Sequence, residues 1–93
     1  MDYAVVFTSK AAEEFAVFSL DLSRVIDAHF DKLASDPASY GKKPYFPFRP
    51  GGLMSEFKHS FHDRTCYVRI FFHFGAGEDR IVITGFSVQS VDN

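Results

Sequence analysis

Between Cys66 and Phe74 the chain alternates so regularly that a strand buried on one face is the natural reading. Cys66, Val68, Ile70, Phe72 and Phe74 fall on one side and Tyr67, Arg69, Phe71 and His73 on the other, because successive side chains of a strand point to opposite faces. The first set is wholly apolar and belongs against a core. The second sets an arginine and a histidine among aromatic rings, and burying that side would strand a charge without water. Helices covering the apolar side would therefore leave Arg69 and His73 on an uncovered face. Gly75-Ala-Gly-Glu-Asp79 then reads as a hairpin turn and Arg80 to Val88 as the last strand.

The segment before this strand extends the same face. From Leu53 to Phe61, Leu53, Phe57 and Phe61 share one side while Met54, Glu56, Lys58 and Ser60 share the other, and His62-Asp-Arg-Thr65 supplies a turn. Parity then brings Lys58 and Arg69 onto one sheet surface. It also brings Glu56 there. Arg69 thus has two readings: a cation of a binding face, or half of a cross-strand ion pair with Glu56.

The N-terminal half reads as strand, helix, helix. Tyr3, Val5 and Phe7 alternate between Asp2 and Thr8, and Ser9 is placed to cap a short helix with Glu13 and Glu14 near its positive end and Ala12, Phe15, Ala16 and Phe18 as its apolar stripe. After a restart around Asp21 to Ser23, Leu22, Val25, Ile26, His29, Phe30 and Leu33 recur at helical spacing. This second helix should stop at Asp36, since Pro37 disfavours helical geometry in the residue before it. All four prolines lie between Pro37 and Pro50, near Gly41, Gly51 and Gly52, so that span reads as a long connector. It interleaves Tyr40, Tyr45, Phe46 and Phe48 with Lys42, Lys43 and Arg49. Such a mixture suits stacking on bases and holding phosphates; equally, it suits aromatics that stitch a loop to the core beneath solubilising lysines.

The organisation is β-α-α-β-β-β, an α+β domain with two helices packed on one face of a mostly antiparallel four-stranded sheet. At 93 residues and 46% hydrophobic, residues 1–93 suit a single domain with one core. Cys66 is the one cysteine, so no internal disulfide forms, and its position on the apolar face predicts an inert thiol. The Met1-Asp-Tyr start lacks the pattern of a secretion signal, and no apolar run approaches the roughly 18 residues of a membrane span. A cytoplasmic address without membrane contact is expected. The formal charge of −2 argues against indiscriminate polyanion binding, so nucleic-acid contact would need a local patch. His59 and His62 match no metal signature, so neither metal nor cofactor is expected. His29 reads as a core-edge residue, and Asp27 and Asp31 as a solvated helix face.

Read in order, several motifs resemble the RelE/ParE toxin superfamily, nearest its HigB-like branch, over almost the whole chain. They are Leu33-Ala-Ser-Asp-Pro37 at the end of the helices, Gly52-Leu53 opening the second strand, Tyr67-Val-Arg-Ile-Phe-Phe72, and Ile81-Val-Ile-Thr-Gly-Phe86. The resemblance implies the toxin component of a type II toxin–antitoxin system: a ribosome-dependent mRNA endoribonuclease, bound by an antitoxin protein, that cleaves without metal through attack of the ribose 2′-hydroxyl. Arg69 matches the family's third-strand arginine and Lys58 its second-strand lysines. Among the histidines that could exchange protons near neutral pH, namely His59, His62 and His73, parity favours His73. Arg69, Lys58 and His73 are thus the candidate catalytic residues, and Lys42, Lys43, Arg49, Tyr67 and Phe71 the candidate RNA-binding ones.

The chain also departs from that pattern. After Gly85-Phe86 it continues Ser-Val-Gln-Ser90 and then Val-Asp-Asn where HigB-like members carry lysines, its balance is acidic, and Tyr67 and Arg69 are separated by Val68 where the family pairs them directly. These differences keep a second class open: a catalytically silent protein-binding module of the same fold, either gyrase-targeting like the ParE branch or a homo-oligomer such as a homodimer.

Overall fold

The strand order β1 (Ala4–Phe7), β4 (Arg80–Asp92), β3 (Arg64–Phe74), β2 (Leu53–Ser60) places the two ends of the helical connection at opposite edges of one sheet. The structure is a computed structural model that describes residues 2–43, 52–77 and 79–93. Its elements are β1 (Ala4–Phe7), α1 (Ser9–Ala16), α2 (Leu20–Ser35), α3 (Pro37–Tyr40), β2 (Leu53–Ser60), β3 (Arg64–Phe74) and β4 (Arg80–Asp92). β1 pairs parallel to β4, while β2 with β3 and β3 with β4 are antiparallel. No helix among the described residues is long and apolar enough to cross a membrane.

The helices cover one sheet face, and the alternation in β3 decides which. Cys66, Val68, Ile70 and Phe72 are at most 1% exposed and meet Ala11, Leu22, Ile26, Phe30 and Leu33 from α1 and α2. Burying such side chains contributes about 1.5–3 kcal/mol each, which sets the register of β3 against slippage. Phe74, read from parity as the last core position, is instead 46% exposed; it ends the strand and meets Tyr3, with ring centroids 5.7 Å apart. At the other end, Phe7, Phe15, Phe30 and Phe86 form a cluster of rings that includes a stacked Phe15–Phe86 pair at 5.7 Å.

Several boundaries differ from the sequence reading, each for a local reason. Thr8, not Ser9, caps α1: its backbone is extended, and its hydroxyl accepts from the Ala11 N–H at 3.2 Å. Ala11, rather than Ala12, is the buried alanine of the stripe. Glu13 and Glu14 lie beyond the first turn of α1. Glu14 instead reaches the sheet, where it accepts from the Phe86 N–H at 3.1 Å. α2 ends before Pro37 as expected, but Pro37 then starts α3, a turn of helix capped by Asp36 through Ser39 N–H and Ser39 Oγ. Arg64 and Thr65 belong to β3 rather than to a turn, and β4 runs on to Asp92. Tyr45, Phe46, Phe48 and Arg49 lie outside the described residues.

One irregularity could not be read from hydropathy. Phe71 pairs with Gly85 but Phe72 with Ile83, so Thr84 is an extra residue in β4, a bulge that reverses the strand's alternation. Before it Ile81 and Ile83 face the core; after it Phe86 and Val88 do.

Candidate functional site

Six side chains from three strands form two rows on the face the helices leave uncovered. In the first, Glu56 is the register partner of Arg69, and Arg69 of Ser87; in the second, Lys58 partners Tyr67, and Tyr67 partners Gln89. With Phe57 and Val68 these residues line a depression of about 380 Å³. Adjacent strands lie about 4.8 Å apart, so each row spans roughly 10 Å, and the rows are about 7 Å apart along the strands.

The first row is tied together by charge. Arg69 donates through Nε to Glu56 Oε2 at 2.9 Å, and Lys42 pairs with Glu56 Oε1. Lys42 arrives there through backbone pairing: its N–H and C=O exchange 2.8 Å bonds with Met54, which lays it alongside β2. Hydrogen bonds from the Lys42 ammonium, and then from the Arg69 guanidinium, hold the Glu56 carboxyl below the ordinary glutamate range. The Arg69 side chain remains half-exposed. The cross-strand ion pair is therefore formed, and it lies in the depression's wall.

The second row carries a cation, an aromatic ring and an amide. Tyr67 is 46% exposed, and Lys58 and Gln89 flank it. Neither Ser87 nor Gln89 stood out in the sequence. Continuing the alternation of Ile81 and Ile83 would have sent both toward the core; the bulge at Thr84 turns them outward. The available signal was their polarity beside Phe86 and Val88.

Of the catalytic candidates, Arg69 and Lys58 converge and His73 does not. His73 pairs with Val82, and its Nδ1–H donates to the Phe74 carbonyl at 2.8 Å, roughly 13 Å along the strand from Arg69 at about 3.3 Å per residue. Among the RNA-binding candidates, Tyr67 lines the depression and Lys42 borders it through Glu56. Phe71 is half-buried between Met54 and Gly85 in register, Lys43 is exposed beside Lys42, and Arg49 lies outside the described residues. His59 partners Cys66 and packs against Phe61 with ring centroids 4.6 Å apart, while His62 lies in the β2–β3 turn. Among the described residues no histidine lines the depression. Among the described lining residues Glu56 is thus the one carboxylate, an acceptor that its two cations keep ionised.

Away from the site, His29 is buried against Phe57, with rings 4.3 Å apart, and its Nε2 lies 2.8 Å from Ser55 Oγ. Burial, and secondarily Lys32, push its imidazole below the ordinary range. Among the described residues no group of three or more metal-ligating side chains is assembled.

No protein-family model matches the sequence, and no curated protein sequence does. Solved structures do match. A chain of the RelBE2 toxin–antitoxin complex from Mycobacterium tuberculosis superposes with a TM-score of 0.70 at 18% identity, over 96% of this chain and 100% of that one. A chain of the intact E. coli RelBE toxin–antitoxin complex gives 0.65 at 10%, over 91% and 94%. A mutant of E. coli toxin RelE in the free state gives 0.65 at 10%, over 94% and 83%. At such identities the likeness is one of architecture, and the chain has the α+β fold of the RelE toxin structures.

Proposed function

We propose that this chain is the toxin of a type II toxin–antitoxin pair and acts in the cytoplasm as a ribosome-dependent, metal-independent mRNA endoribonuclease. The observation that carries this reading is the convergence of Arg69, Lys58, Tyr67 and Glu56 around one depression on the uncovered sheet face. The similar structures named as toxin–antitoxin complexes support it, and the order of the motifs along the chain resembles the HigB-like branch. The antitoxin would bind across this face.

Cleavage by the ribose 2′-hydroxyl needs a base, a cationic clamp and an acid. Glu56 takes the hydroxyl proton. It is a weak base while Lys42 and Arg69 hold it, but an arriving phosphate draws both cations to itself and restores the carboxylate's basicity. Arg69 steadies the extra negative charge on the pentacoordinate phosphorus, as its planar fork suits phosphate oxygens. Lys58, about 7 Å from Glu56 on the same face of β2, protonates the departing 5′-oxygen. Tyr67 offers a stacking surface, and Lys43 and Arg49 are left to hold neighbouring phosphates. The products are a 2′,3′-cyclic phosphate and a free 5′-hydroxyl.

A second reading rests on the same ion pair. If Glu56 serves only to neutralise Arg69, the face is a protein-binding surface of a silent member of this fold, in keeping with the net charge of −2. Purified chain incubated with translating ribosomes separates the two. Cuts with cyclic-phosphate ends that vanish in Arg69→Ala support the enzyme; intact mRNA with folded protein supports the silent module.

A further inference from the structure

Lys42 reaches Glu56 from a short stretch of chain that is held at three points. Tyr40, the last residue of α3, meets the His29 ring edge-on with centroids 6.0 Å apart. Gly41 packs so tightly that a Cβ there would come within 2.6 Å of Phe72 Cζ and 2.8 Å of the Pro37 carbonyl oxygen, an approach open to glycine alone. Lys42 then exchanges two 2.8 Å backbone bonds with Met54, and its ammonium pairs with Glu56. Beneath this stretch lies His29, a buried titratable group that the cleavage chemistry leaves unused, stacked on Phe57 at 4.3 Å and 2.8 Å from Ser55 Oγ. We infer that residues 37–42 are a strap latched by the neutral His29 ring, and that a proton on His29 opens the strap and withdraws Lys42 from Glu56.

The coupling runs through β2. Ser55 and Phe57 hold His29 on the core side, while Glu56 between them holds Lys42 on the open side. Met54, the backbone anchor of the strap, precedes Ser55. Latch and strap end are thus fixed to opposite faces of the same few residues. A charged imidazole does not suit this place: from α2 it faces Lys32, another cation, from α3 the Tyr40 ring, and from β2 Ser55 and Phe57. No ion pair reaches it among the described residues, and Ser55 Oγ can accept a hydrogen bond but brings no charge. Burial therefore favours the neutral ring. A protonated ring gains water most cheaply when α3 lifts, because α3 is a single turn whereas α2 and β2 are packed into the core. With the strap open, the ring takes its proton at the ordinary affinity, so acid favours opening.

The test is residue-resolved amide hydrogen exchange of the intact chain from neutral pH to below 6.5, with and without sub-denaturing urea, beside His29→Phe and His29→Gln checked for folding by circular dichroism. Rates are read as protection relative to unstructured peptide, which removes the intrinsic effect of pH. In wild type the Lys42 and Met54 amides, which close the bridge, should lose up to about tenfold in protection per pH unit below 6.5. Low urea should leave that loss unchanged, since lifting a strap exposes little surface. The Val68 and Ile70 amides of β3, paired on both sides, should exchange through global unfolding and respond steeply to urea. Both variants should keep the bridge equally protected across the whole range; they differ in volume, so one decides if the other fails to fold. Bridge protection flat with pH in wild type, a slope kept in either folded variant, or a urea response as steep as that of Val68 and Ile70 would each overturn the latch. No RNA takes part, so the result stands apart from that of the ribosome assay.

Discussion

Arg69 Nε donates to Glu56 Oε2 at 2.9 Å, and the two residues are direct cross-strand partners. The bond is therefore a consequence of sheet register and not a chance meeting of two long side chains. With Lys42 on the other carboxylate oxygen, one carboxylate faces two cations, and the cluster at the wall of the depression carries a net positive charge.

That relationship predicts how Glu56 titrates. Its folded value lies below the ordinary 4.5, first because of Lys42 and then because of Arg69. The carboxylate thus stays ionised as pH falls through 4.5 and gains its proton only below that, and any stability it lends is full above 4.5 and lost as pH falls through the folded value. Carbon-13 NMR of the Glu56 carboxyl should show a midpoint below 4.5 that rises in Lys42→Ala. A midpoint above 4.5 in wild type would contradict the geometry.

Glu56 and His73 should separate in a cleavage assay. Glu56→Gln removes the proposed base and should slow cleavage by about 10²–10⁴-fold, with stability changed by no more than about 0.5 kcal/mol at this surface position. His73→Ala should stay within a few-fold of wild type, because His73 lies outside the depression. A larger loss in His73→Ala than in Glu56→Gln would reassign the base.

What could be read beforehand, and what could not, divides at Thr84. The β3 alternation is strict, so Arg69 and Tyr67 could be placed on the open face from residue types alone, and Lys58 followed by parity across a hairpin. The same parity put His73 on the correct face but could not say how far along the strand the depression reaches. Ser87 and Gln89 were hidden by a single extra residue, since a bulge changes phase without changing hydropathy. Lys42 joined the site through a backbone bridge to Met54, which no local pattern announces.

The bulge has its own support. Glu14 accepts from the Phe86 N–H at 3.1 Å, across 72 residues of sequence. Glu14→Ala strips the partner from a part-buried donor and should cost about 1–3 kcal/mol, measured by urea unfolding. A change under about 0.5 kcal/mol, the usual surface range, would mean water replaces the carboxylate freely.

His29 predicts an acid-sensitive fold. Its folded value lies below the ordinary 6.5 because burial disfavours the charged ring. Above 6.5 the imidazole is neutral in both states and its contribution is complete; as pH falls from 6.5 toward the folded value the unfolded chain binds the proton first, and stability drops by at most about 1.4 kcal/mol per pH unit. His29→Phe should flatten that slope below pH 6.5 in thermal unfolding scans. An equally steep slope in the variant would place the sensitivity elsewhere.

The most direct test of the central claim is induced expression of wild type beside Arg69→Ala, with growth and mRNA integrity followed together. Wild type should arrest growth with its mRNA cleaved and the variant should do neither, at matched levels of folded protein. Normal growth and intact mRNA from well-expressed, folded wild type would contradict it.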